Sequence, residues 1–303
     1  MDSQTFRQID SFLNAMSTIL LTGRNGVVGL SLVNILKCRH KIVSIIRRRS
    51  NDVDYSNEQL IVSDLKDVNI EDIKKCGVDM VVHLAATVRG KGSLLKENNV
   101  ESSRNIFHIC EQLNIPVLFL SSINSLFCRQ LGSYACSKKE CEDLLDRSRL
   151  RYLIIRVPMI ISSHSSSMVS VKSFYNNFGF WPLFGKGMGQ TQPVPVSSFV
   201  ALMAEQINQG VTGRKVMNVI GQESYTYRAI LENILAEKDT RFINIPYRLS
   251  FLSAKFIERI NLVFPVSSEE ILSINMDKQV DANKGCETIV LDNRKEIIFE
   301  GIL

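Results

Sequence analysis

The sequence predicts an α/β protein, with a doubly wound parallel sheet in the first half of the chain and a smaller C-terminal lobe. Three observations predict this fold. Short runs that are apolar throughout alternate with helical segments up to about residue 165, the first run ends in a glycine-rich turn, and the alternation loosens beyond residue 165. Such runs fit strands buried on both faces, and right-handed crossovers then put helices on both sides of the sheet.

Each element follows from the period of the apolar residues. The apolar runs of the first half predict strands at 17–22, 41–46, 60–63, 79–84, 117–120 and 152–156. Helical spacing lies between them at 30–38, 67–76, 94–114 and 133–148. The second half predicts helices at 197–209, 226–237 and 248–262 and short strands at 215–220 and 242–246. We expect this half to return a strand to the main sheet.

The division into domains follows from the same alternation. The first strand starts almost at Met16, so residues 1–15 are expected to be an extension that the fold does not need. Residues 16–165 form the predicted sheet domain, and residues 166–303 form mainly the smaller lobe. A chain of 303 residues allows this division at about 150 residues per domain.

Composition argues against several classes of function. The net charge is +5 and no basic stripe with interleaved aromatic residues occurs, which argues against a nucleic-acid partner. No window of 18 uncharged apolar residues exists, so no membrane span is expected. The seven cysteines are scattered without a C-x-x-C pair, and the four histidines show no ligand spacing. We therefore expect no metal site and a cytoplasmic location.

A glycine-rich turn follows the first strand. It reads Thr22-Gly23-Arg24-Asn25-Gly26-Val27-Val28-Gly29 and leads into a helix. Glycines three residues apart let the backbone turn tightly and approach a pyrophosphate, and the helix N-terminus offers free N–H groups to that anion. Because a strand precedes the turn and a helix follows it, we predict a dinucleotide site of the Rossmann type.

The end of the second strand bears on which cofactor binds. An acidic residue there would bind the ribose hydroxyls of NAD, whereas an arginine pairs with the 2′-phosphate of NADP. This chain has Arg47 and Arg48 at that point, which favours NADP(H), although a solvated basic loop is nearly as good an interpretation of either arginine. Asp64, just past the third strand, is placed to meet the adenine or to cap a helix.

A tyrosine and a lysine share one face of the helix after the fifth strand. Tyr134 and Lys138 are four residues apart, and Ser122 ends the strand twelve residues before Tyr134. A phenol with a pKa near 10 is a poor acid–base catalyst at neutral pH, but a neighbouring ammonium stabilises the phenolate. The serine hydroxyl can hydrogen-bond the substrate oxygen that is oxidised or reduced.

These motifs, in this order over about residues 17–160, resemble the extended short-chain dehydrogenase/reductases of the NAD(P)-dependent epimerase/dehydratase family. The resemblance implies catalysis by Ser122, Tyr134 and Lys138, with Asn99 supporting the catalytic helix. It also implies that Lys138 and Tyr134 meet the cofactor, NADP(H) or NAD(H). The other cofactor contacts that it implies are Leu65, Leu84, Ala85, Ala86, Thr87 and Pro158.

Within that family the chain looks most like enzymes that act on nucleotide sugars in surface-polysaccharide synthesis. The resemblance implies a reductase of 4-keto sugars or, as the alternative, a UDP-hexose 4-epimerase with tightly bound NAD. A binding or regulatory protein without turnover is the third reading. In this family the helices at 94–114 and 133–148 commonly form a dimer interface, so a homodimer is expected.

The second half departs from the family pattern. The interval from Ser122 to Tyr134 is short, and a substrate-contacting loop is expected to be missing. Many relatives place an arginine on the substrate diphosphate where this chain has Gln190, Thr191 and Gln192. Lys172 or Lys186 is expected to take over that contact.

Overall fold

The computed structural model describes residues 16–294, with gaps at 52, 57, 89, 91, 164, 236–239, 260–266 and 283–284. The predicted extension, residues 1–15, lies outside the described residues. Eight parallel strands form the main sheet: β1 (Thr18–Thr22), β2 (Lys41–Ile46), β3 (Glu58–Val62), β4 (Met80–His83), β5 (Val117–Ser122), β6 (Tyr152–Val157), β11 (Arg214–Gly221) and β14 (Glu287–Leu291). Six shorter strands, numbered in chain order, belong to the second half.

The strand order is β3-β2-β1-β4-β5-β6-β11-β14, so the chain changes direction between β1 and β4. Parallel pairing continues across every neighbouring pair of this sheet. A ligand crevice is expected outside the carboxyl ends of the strands at such a switch point. The doubly wound parallel α/β fold predicted from the sequence is confirmed.

Helices cover both faces of the sheet. Around the sheet lie α1 (Val27–Leu36), α2 (Ile70–Lys75), α3 (Gly92–Leu95), α4 (Ser102–Leu113), α5 (Cys128–Leu131), α6 (Ser133–Arg147) and α8 (Val196–Gln209). On one face, Leu32 and Phe199 belong to the same core cluster as Leu21 of β1. On the other face, Ile106 clusters with Leu20 of the same strand. Successive residues of β1 therefore enter opposite cores, as a strand covered on both faces requires.

Several elements differ from the prediction, which did not include the helices Ser166–Phe178 and Ser268–Asn275 or the strand Trp181–Phe184. The third strand begins at Glu58, two residues before the predicted start at residue 60. Hydropathy does not mark Glu58 as a strand residue because it is charged, but its side chain is buried against Arg24. The helix predicted at 94–114 is interrupted by a π-helical segment, Lys96–Glu101. The second half adds two strands to the main sheet: β11, which was predicted, and Glu287–Leu291, which was not.

The second half otherwise builds a smaller lobe from short elements. They are β7 (Ile160–Ile161), α7 (Ser166–Phe178), β8 (Trp181–Phe184), β9 (Gln190–Thr191), β10 (Val194–Pro195), β12 (Tyr225–Thr226), α9 (Tyr227–Leu235), β13 (Phe242–Ile245), α10 (Tyr247–Arg259) and α11 (Ser268–Asn275). Trp181, Leu183 and Ile230 form its core. Among the described residues, no helix is long and apolar enough to cross a membrane.

Candidate active site

The glycine-rich turn brings the first strand close to the fourth. Gly23 has a φ of +72°, and a Cβ placed on it would lie 2.6 Å from the backbone nitrogen of Ala85. A Cβ on Gly29 would lie 2.5 Å from the carbonyl oxygen of Gly23. Only glycine fits at these two positions, since any side chain there would collide with backbone atoms that cannot move aside. The turn is thus pressed against the end of β4.

The first turn of α1 is open to a ligand. Gly26 precedes the helix, and no side chain of the described residues caps it there. The N–H groups of this turn, together with the positive end of the helix dipole, therefore point at the crevice. A pyrophosphate needs this combination of close backbone approach and unpaired donors, so the cradle fits a dinucleotide.

A cleft of about 370 Å³ lies along this turn and the ends of the neighbouring strands. Ten of the predicted cofactor residues line it: Gly23, Asn25, Gly26, Arg47, Arg48, Leu65, Leu84, Ala85, Ala86 and Thr87. Asn98, which was not predicted, also contributes to the wall. The other predicted contacts are not among the lining residues: Val27, Gly29, Asp64, Tyr134, Lys138 and Pro158.

The arginines around this cleft differ in what they contact. The Arg47 guanidinium lies 3.3 Å from the Asp64 carboxylate, and both side chains are partly exposed. Asp64 is therefore paired with Arg47, an arrangement that the sequence analysis did not foresee. Arg24, inside the glycine-rich turn, is buried and binds both carboxylate oxygens of Glu58. Its charge is already neutralised, and Arg47 is paired with Asp64, so Arg48 is the remaining cation among the described residues that line the cleft.

Ser122 ends β5, and Tyr134 and Lys138 lie in α6; none of the three is among the residues that line the cleft. Burial raises the pKa of Tyr134 to about 12, while a hydrogen bond with the Ser122 side chain acts in the opposite direction. Burial lowers the pKa of Lys138 to about 8. The Lys138 ammonium donates to the carbonyl oxygen of Leu120 at 2.7 Å and lies 4.7 Å from the centre of the Phe119 ring.

This environment defines what the tyrosine can do. With its pKa near 12, the phenol is protonated at neutral pH and can donate a proton to a substrate oxygen. The Lys138 ammonium still carries most of its charge at pH 7 and lies on the same face of α6. A phenolate formed at Tyr134 would thus have a cation nearby to stabilise it.

Asn99 positions the site but lies away from the reacting groups. It sits in the π-helical segment, where its side-chain oxygen accepts from the Thr87 N–H at 2.7 Å and its amide donates to the Thr87 carbonyl at 2.9 Å. The same amide donates to the Ser137 hydroxyl at 3.0 Å. Asn99 therefore ties the cofactor-lining loop to the catalytic helix, which is the role of a positioning residue.

Two buried polar groups next to the site were not predicted as parts of it. His83 bonds the Thr22 hydroxyl at 2.7 Å and the Ser103 hydroxyl at 2.9 Å. Burial, with a smaller contribution from Lys138, lowers the pKa of His83 to about 3, so the ring is neutral. It joins β1, β4 and α4 directly behind the cofactor-lining loop.

Glu142 is the second of these groups. Its carboxylate accepts from the Ser121 hydroxyl at 2.5 Å and the Ser125 hydroxyl at 2.7 Å and forms a two-point ion pair with Arg156. Because it lies one helical turn after Lys138, spacing alone could have placed it on the same face. The sequence could not show which groups it contacts.

The second lobe contains a groove of about 880 Å³. Its walls come from the α5 residue Gln130, from Lys186 and Met188 after β8, from Tyr247 at the start of α10 and from Leu272 in α11. Lys186 was predicted to meet a substrate diphosphate, and it lines this groove; Lys172 is not among the lining residues. The side-chain oxygens of the two glutamines are already hydrogen-bonded within the lobe. The Val280 N–H donates to Gln192, and the Gln279 amide and the Ser224 hydroxyl donate to Gln190.

Together, the glycine cradle at a parallel-sheet switch point and the Ser–Tyr–Lys group define a dinucleotide-dependent α/β enzyme. The chain belongs to the NAD-dependent epimerase/dehydratase family, whose sequence profile matches residues 19–220. It is an NAD(P)-dependent enzyme of the extended short-chain dehydrogenase/reductase type. A comparison with curated protein sequences finds no match.

Solved structures share the fold at low sequence identity. WbmH from Bordetella bronchiseptica, in complex with NAD⁺, is 15% identical, with a TM-score of 0.65 over 86% of this chain and 97% of that one. MoeE5, in complex with UDP-glucuronic acid and NAD, is 20% identical, with a TM-score of 0.63 over 77% and 86%. A UDP-N-acetylglucosamine 4-epimerase from Methanobrevibacter ruminantium is 23% identical, with a TM-score of 0.62 over 86% and 96%.

Proposed function

We propose that the protein is an NAD(P)-dependent oxidoreductase that acts at carbon 4 of a nucleotide sugar and reduces a 4-keto sugar in surface-polysaccharide synthesis. The protonated phenol of Tyr134, hydrogen-bonded to Ser122 at the carboxyl end of β5, carries this proposal. A ketone reductase needs a proton donor there, because the carbonyl oxygen becomes a hydroxyl.

The chain's own residues divide the work of this reaction. A bound nicotinamide cofactor supplies the hydride when it is reduced. Tyr134 gives its proton to the carbonyl oxygen, and the Ser122 hydroxyl hydrogen-bonds the same oxygen. The Lys138 ammonium, buried one turn along α6, stabilises the phenolate that remains. Proton donation by a positioned side chain contributes roughly 100- to 10,000-fold to such rates.

Two further features support a nucleotide-sugar reductase. Arg47 and Arg48 at the adenosine end of the cleft favour the 2′-phosphate of NADPH, the cofactor of net reductions. The groove in the second lobe is large enough for a nucleotide sugar and contains the Lys186 ammonium for its diphosphate. MoeE5 and the Methanobrevibacter epimerase, whose fold this chain shares, bind UDP-sugars.

A 4-epimerase with tightly bound NAD is the second candidate, favoured by the NAD found in the related WbmH and MoeE5 structures. An epimerase removes and returns the same hydride, so it consumes no added reductant. The third reading is a binding or regulatory protein without turnover. The presence of Ser122, Tyr134 and Lys138 in one site argues against it.

The test starts from the cofactor that co-purifies with the protein, identified by mass and absorbance. The protein is then incubated with UDP-4-keto sugars and UDP-sugars, with and without NADPH. NADPH consumption on a 4-keto sugar is expected; isomerisation without added cofactor would show the epimerase instead. No turnover on either substrate class would reject both enzymatic proposals.

Tyr134→Phe is the variant that tests the catalytic role. We expect kcat to fall by about 1,000-fold while dinucleotide affinity is kept, because only the donated proton is lost. Tyr152→Phe is the matched control, since the Tyr152 hydroxyl bonds Asp146 at 3.0 Å in the last turn of α6, twelve residues beyond Tyr134. Equal activity of the Tyr134→Phe variant and the wild type would refute the proposed role of this phenol.

The remaining proposals concern assembly and location. We propose a homodimer through α4 and α6, whose exposed faces carry charged side chains such as Arg104 and Glu140 in ion-pair contact. Analytical ultracentrifugation tests it, and a monomer at micromolar concentration would refute it.

We also propose a cytoplasmic location, supported by seven free cysteines.

A further inference from the structure

A carboxylate of the second lobe binds the start of the catalytic helix. Glu269, in the first turn of α11, accepts the Ser133 N–H at 2.7 Å on one oxygen and the Tyr134 N–H at 3.3 Å on the other. The partners are 136 and 135 residues apart in the sequence. One side chain from the lobe therefore holds the backbone of the tyrosine proposed to donate the proton.

Helix α6 lacks a cap of its own. Gly132 occupies the N-cap position, where it has no side chain to bond the first-turn N–H groups, and the first turn contains no acidic residue. Uncapped donors at a helix start need an acceptor, and a carboxylate there also interacts favourably with the helix dipole. Glu269 supplies both from outside the helix.

Gly132 makes room for this contact. A Cβ at that position would lie 2.6 Å from Oε1 and 2.6 Å from Cδ of Glu269, and the φ of Gly132 is +86°. Any other residue would push the carboxylate away from the helix start and strain the backbone as well. The contact between Glu269 and the start of α6 therefore requires glycine at position 132.

Helix α11 is firmly placed and also borders the substrate groove. Its own N-terminus has a complete capping box between Ser267 and Glu270, and Ile271 is fully buried. Leu272 lines the groove three residues after Glu269, which puts both on one side of the helix, and Met276, just past the helix end, lines the groove as well. Helix α11 thus supplies both a wall of the groove and the carboxylate that caps α6 from outside.

We propose that Glu269 is a positioning residue for Tyr134, through which the substrate lobe sets the placement of the catalytic phenol. Loss of its carboxylate lets the first turn of α6 fray, so Tyr134 spends less time in hydrogen-bonding reach of Ser122. The groove itself stays intact, because Ile271 and the capping box still hold α11. The expected effect on catalysis rests on the proposed function, whereas the expected effect on the backbone of α6 does not.

The test compares Glu269→Gln and Glu269→Ala with Glu232→Gln, a control that removes an exposed carboxylate of α9 paired with Arg228. Amide hydrogen exchange of residues 133–135 is measured first, because it needs no substrate. We expect faster exchange of these amides by about tenfold in Glu269→Ala, a smaller effect in Glu269→Gln, which keeps one acceptor, and none in the control.

Kinetics on the substrate identified above then separates positioning from general damage. We expect kcat to fall by roughly tenfold or more in Glu269→Ala with KM changed less than about threefold, since a small misplacement of a catalytic group is costly. Glu269→Gln should recover part of that loss. Equal loss in kcat and rise in KM would indicate a damaged groove and overturn the positioning role.

The last experiment is a double-mutant cycle that combines Gly132→Ala with Glu269→Ala and measures amide exchange. Because the added Cβ displaces the carboxylate, Gly132→Ala should speed exchange at residues 133–135 as Glu269→Ala does, and combining both should add little. Unchanged exchange in Glu269→Ala, or fully additive effects, would overturn the proposal. Absence of any nucleotide-sugar turnover, with the exchange pattern as expected, would refute the proposed function and leave the external cap standing.

Discussion

The cofactor half and the substrate lobe place their charged groups in different ways. Besides exposed pairs, the cofactor half contains buried ones: the side chains of Arg24 and Glu58 are 5% and 2% exposed, and those of Arg156 and Glu142 are 15% and 3% exposed. In the lobe, the pair Arg228–Glu232 is 44% and 46% exposed. Buried pairs tolerate only one arrangement of the backbone around them, whereas exposed pairs constrain little. The cofactor platform is therefore rigidly specified, while the lobe can change its surface and its substrate.

The two regions also build their sites differently. The dinucleotide cleft takes most of its wall from strand ends of one sheet, where order along the chain and order in space are linked. The groove of the lobe joins α5, the segment after β8, the start of α10 and α11, which are far apart in sequence. The cleft is therefore built by neighbouring elements of one sheet, and the groove by elements that only the tertiary packing brings together.

The largest expected effect is the loss of dinucleotide binding in Gly23→Ala. The added Cβ would stand 2.6 Å from a backbone nitrogen, so the turn must move away from β4 and the pyrophosphate cradle opens. Gly210→Ala is the matched control: its φ is +73°, against +72° at Gly23, and nothing lies within 4 Å. Binding is measured by calorimetry. If both variants bound the dinucleotide as tightly as the wild type, the cradle would not be the binding site.

The next prediction sharpens the contrast between buried and exposed pairs. Arg24→Met leaves Glu58 as a buried unpaired carboxylate beside Ser44, and we expect the free energy of unfolding to fall by about 3–5 kcal/mol. Arg228→Met in the lobe should cost less than about 1 kcal/mol. Urea unfolding of both variants provides the values. Similar losses in the two would mean that burial does not distinguish the halves.

A third prediction uses the neutral histidine behind the cofactor loop. The pKa of His83 is lowered from 6.5 to about 3 in the folded state, so between these values the unfolded chain binds a proton that the folded chain does not. The free energy of unfolding should therefore decrease as pH falls from 6.5 towards 3, by about 1.4 kcal/mol per pH unit from this group.

His83→Gln should remove that contribution. Unfolding curves of the variant and the wild type between pH 6.5 and 4.5 isolate it, because the carboxylates titrate alike in both proteins. Parallel pH dependence in the two would contradict a buried neutral His83. The exposed histidine variant His108→Gln is the control and should leave the slope unchanged.

The smallest expected effect concerns the choice of cofactor. Arg48→Ala should weaken NADP(H) binding by about tenfold and leave NAD(H) nearly unchanged, because one charge-assisted contact to a 2′-phosphate is lost. Arg49→Ala, one residue further from the strand, is the control. Equal losses for both cofactors would show that Arg48 does not read the 2′-phosphate.

Much of the cofactor half could be predicted from the sequence. The parallel sheet and the glycine turn follow from hydropathy period and glycine spacing, which are local properties, whereas the lining residues Leu65, Leu84, Ala85 and Ala86 were implied by the family resemblance. The interruption of the helix predicted at 94–114 could not be predicted, because it depends on Asn99 reaching Thr87. The strand at Glu287–Leu291 was missed as well: its outward residues, among them the 46% exposed Val290, give no clear period.

The sequence by itself determined the elements and their chemistry: the turn that only glycine can form, the alternation that makes a buried parallel sheet, and the spacing that puts Tyr134 and Lys138 on one helix face. These depend on interactions within a few residues. Only the tertiary structure decided which charges meet, such as Arg24 with Glu58, Arg47 with Asp64 and Glu269 with the start of α6. Such contacts join segments 17 to 136 residues apart, and their partners are selected by packing, which no local pattern encodes.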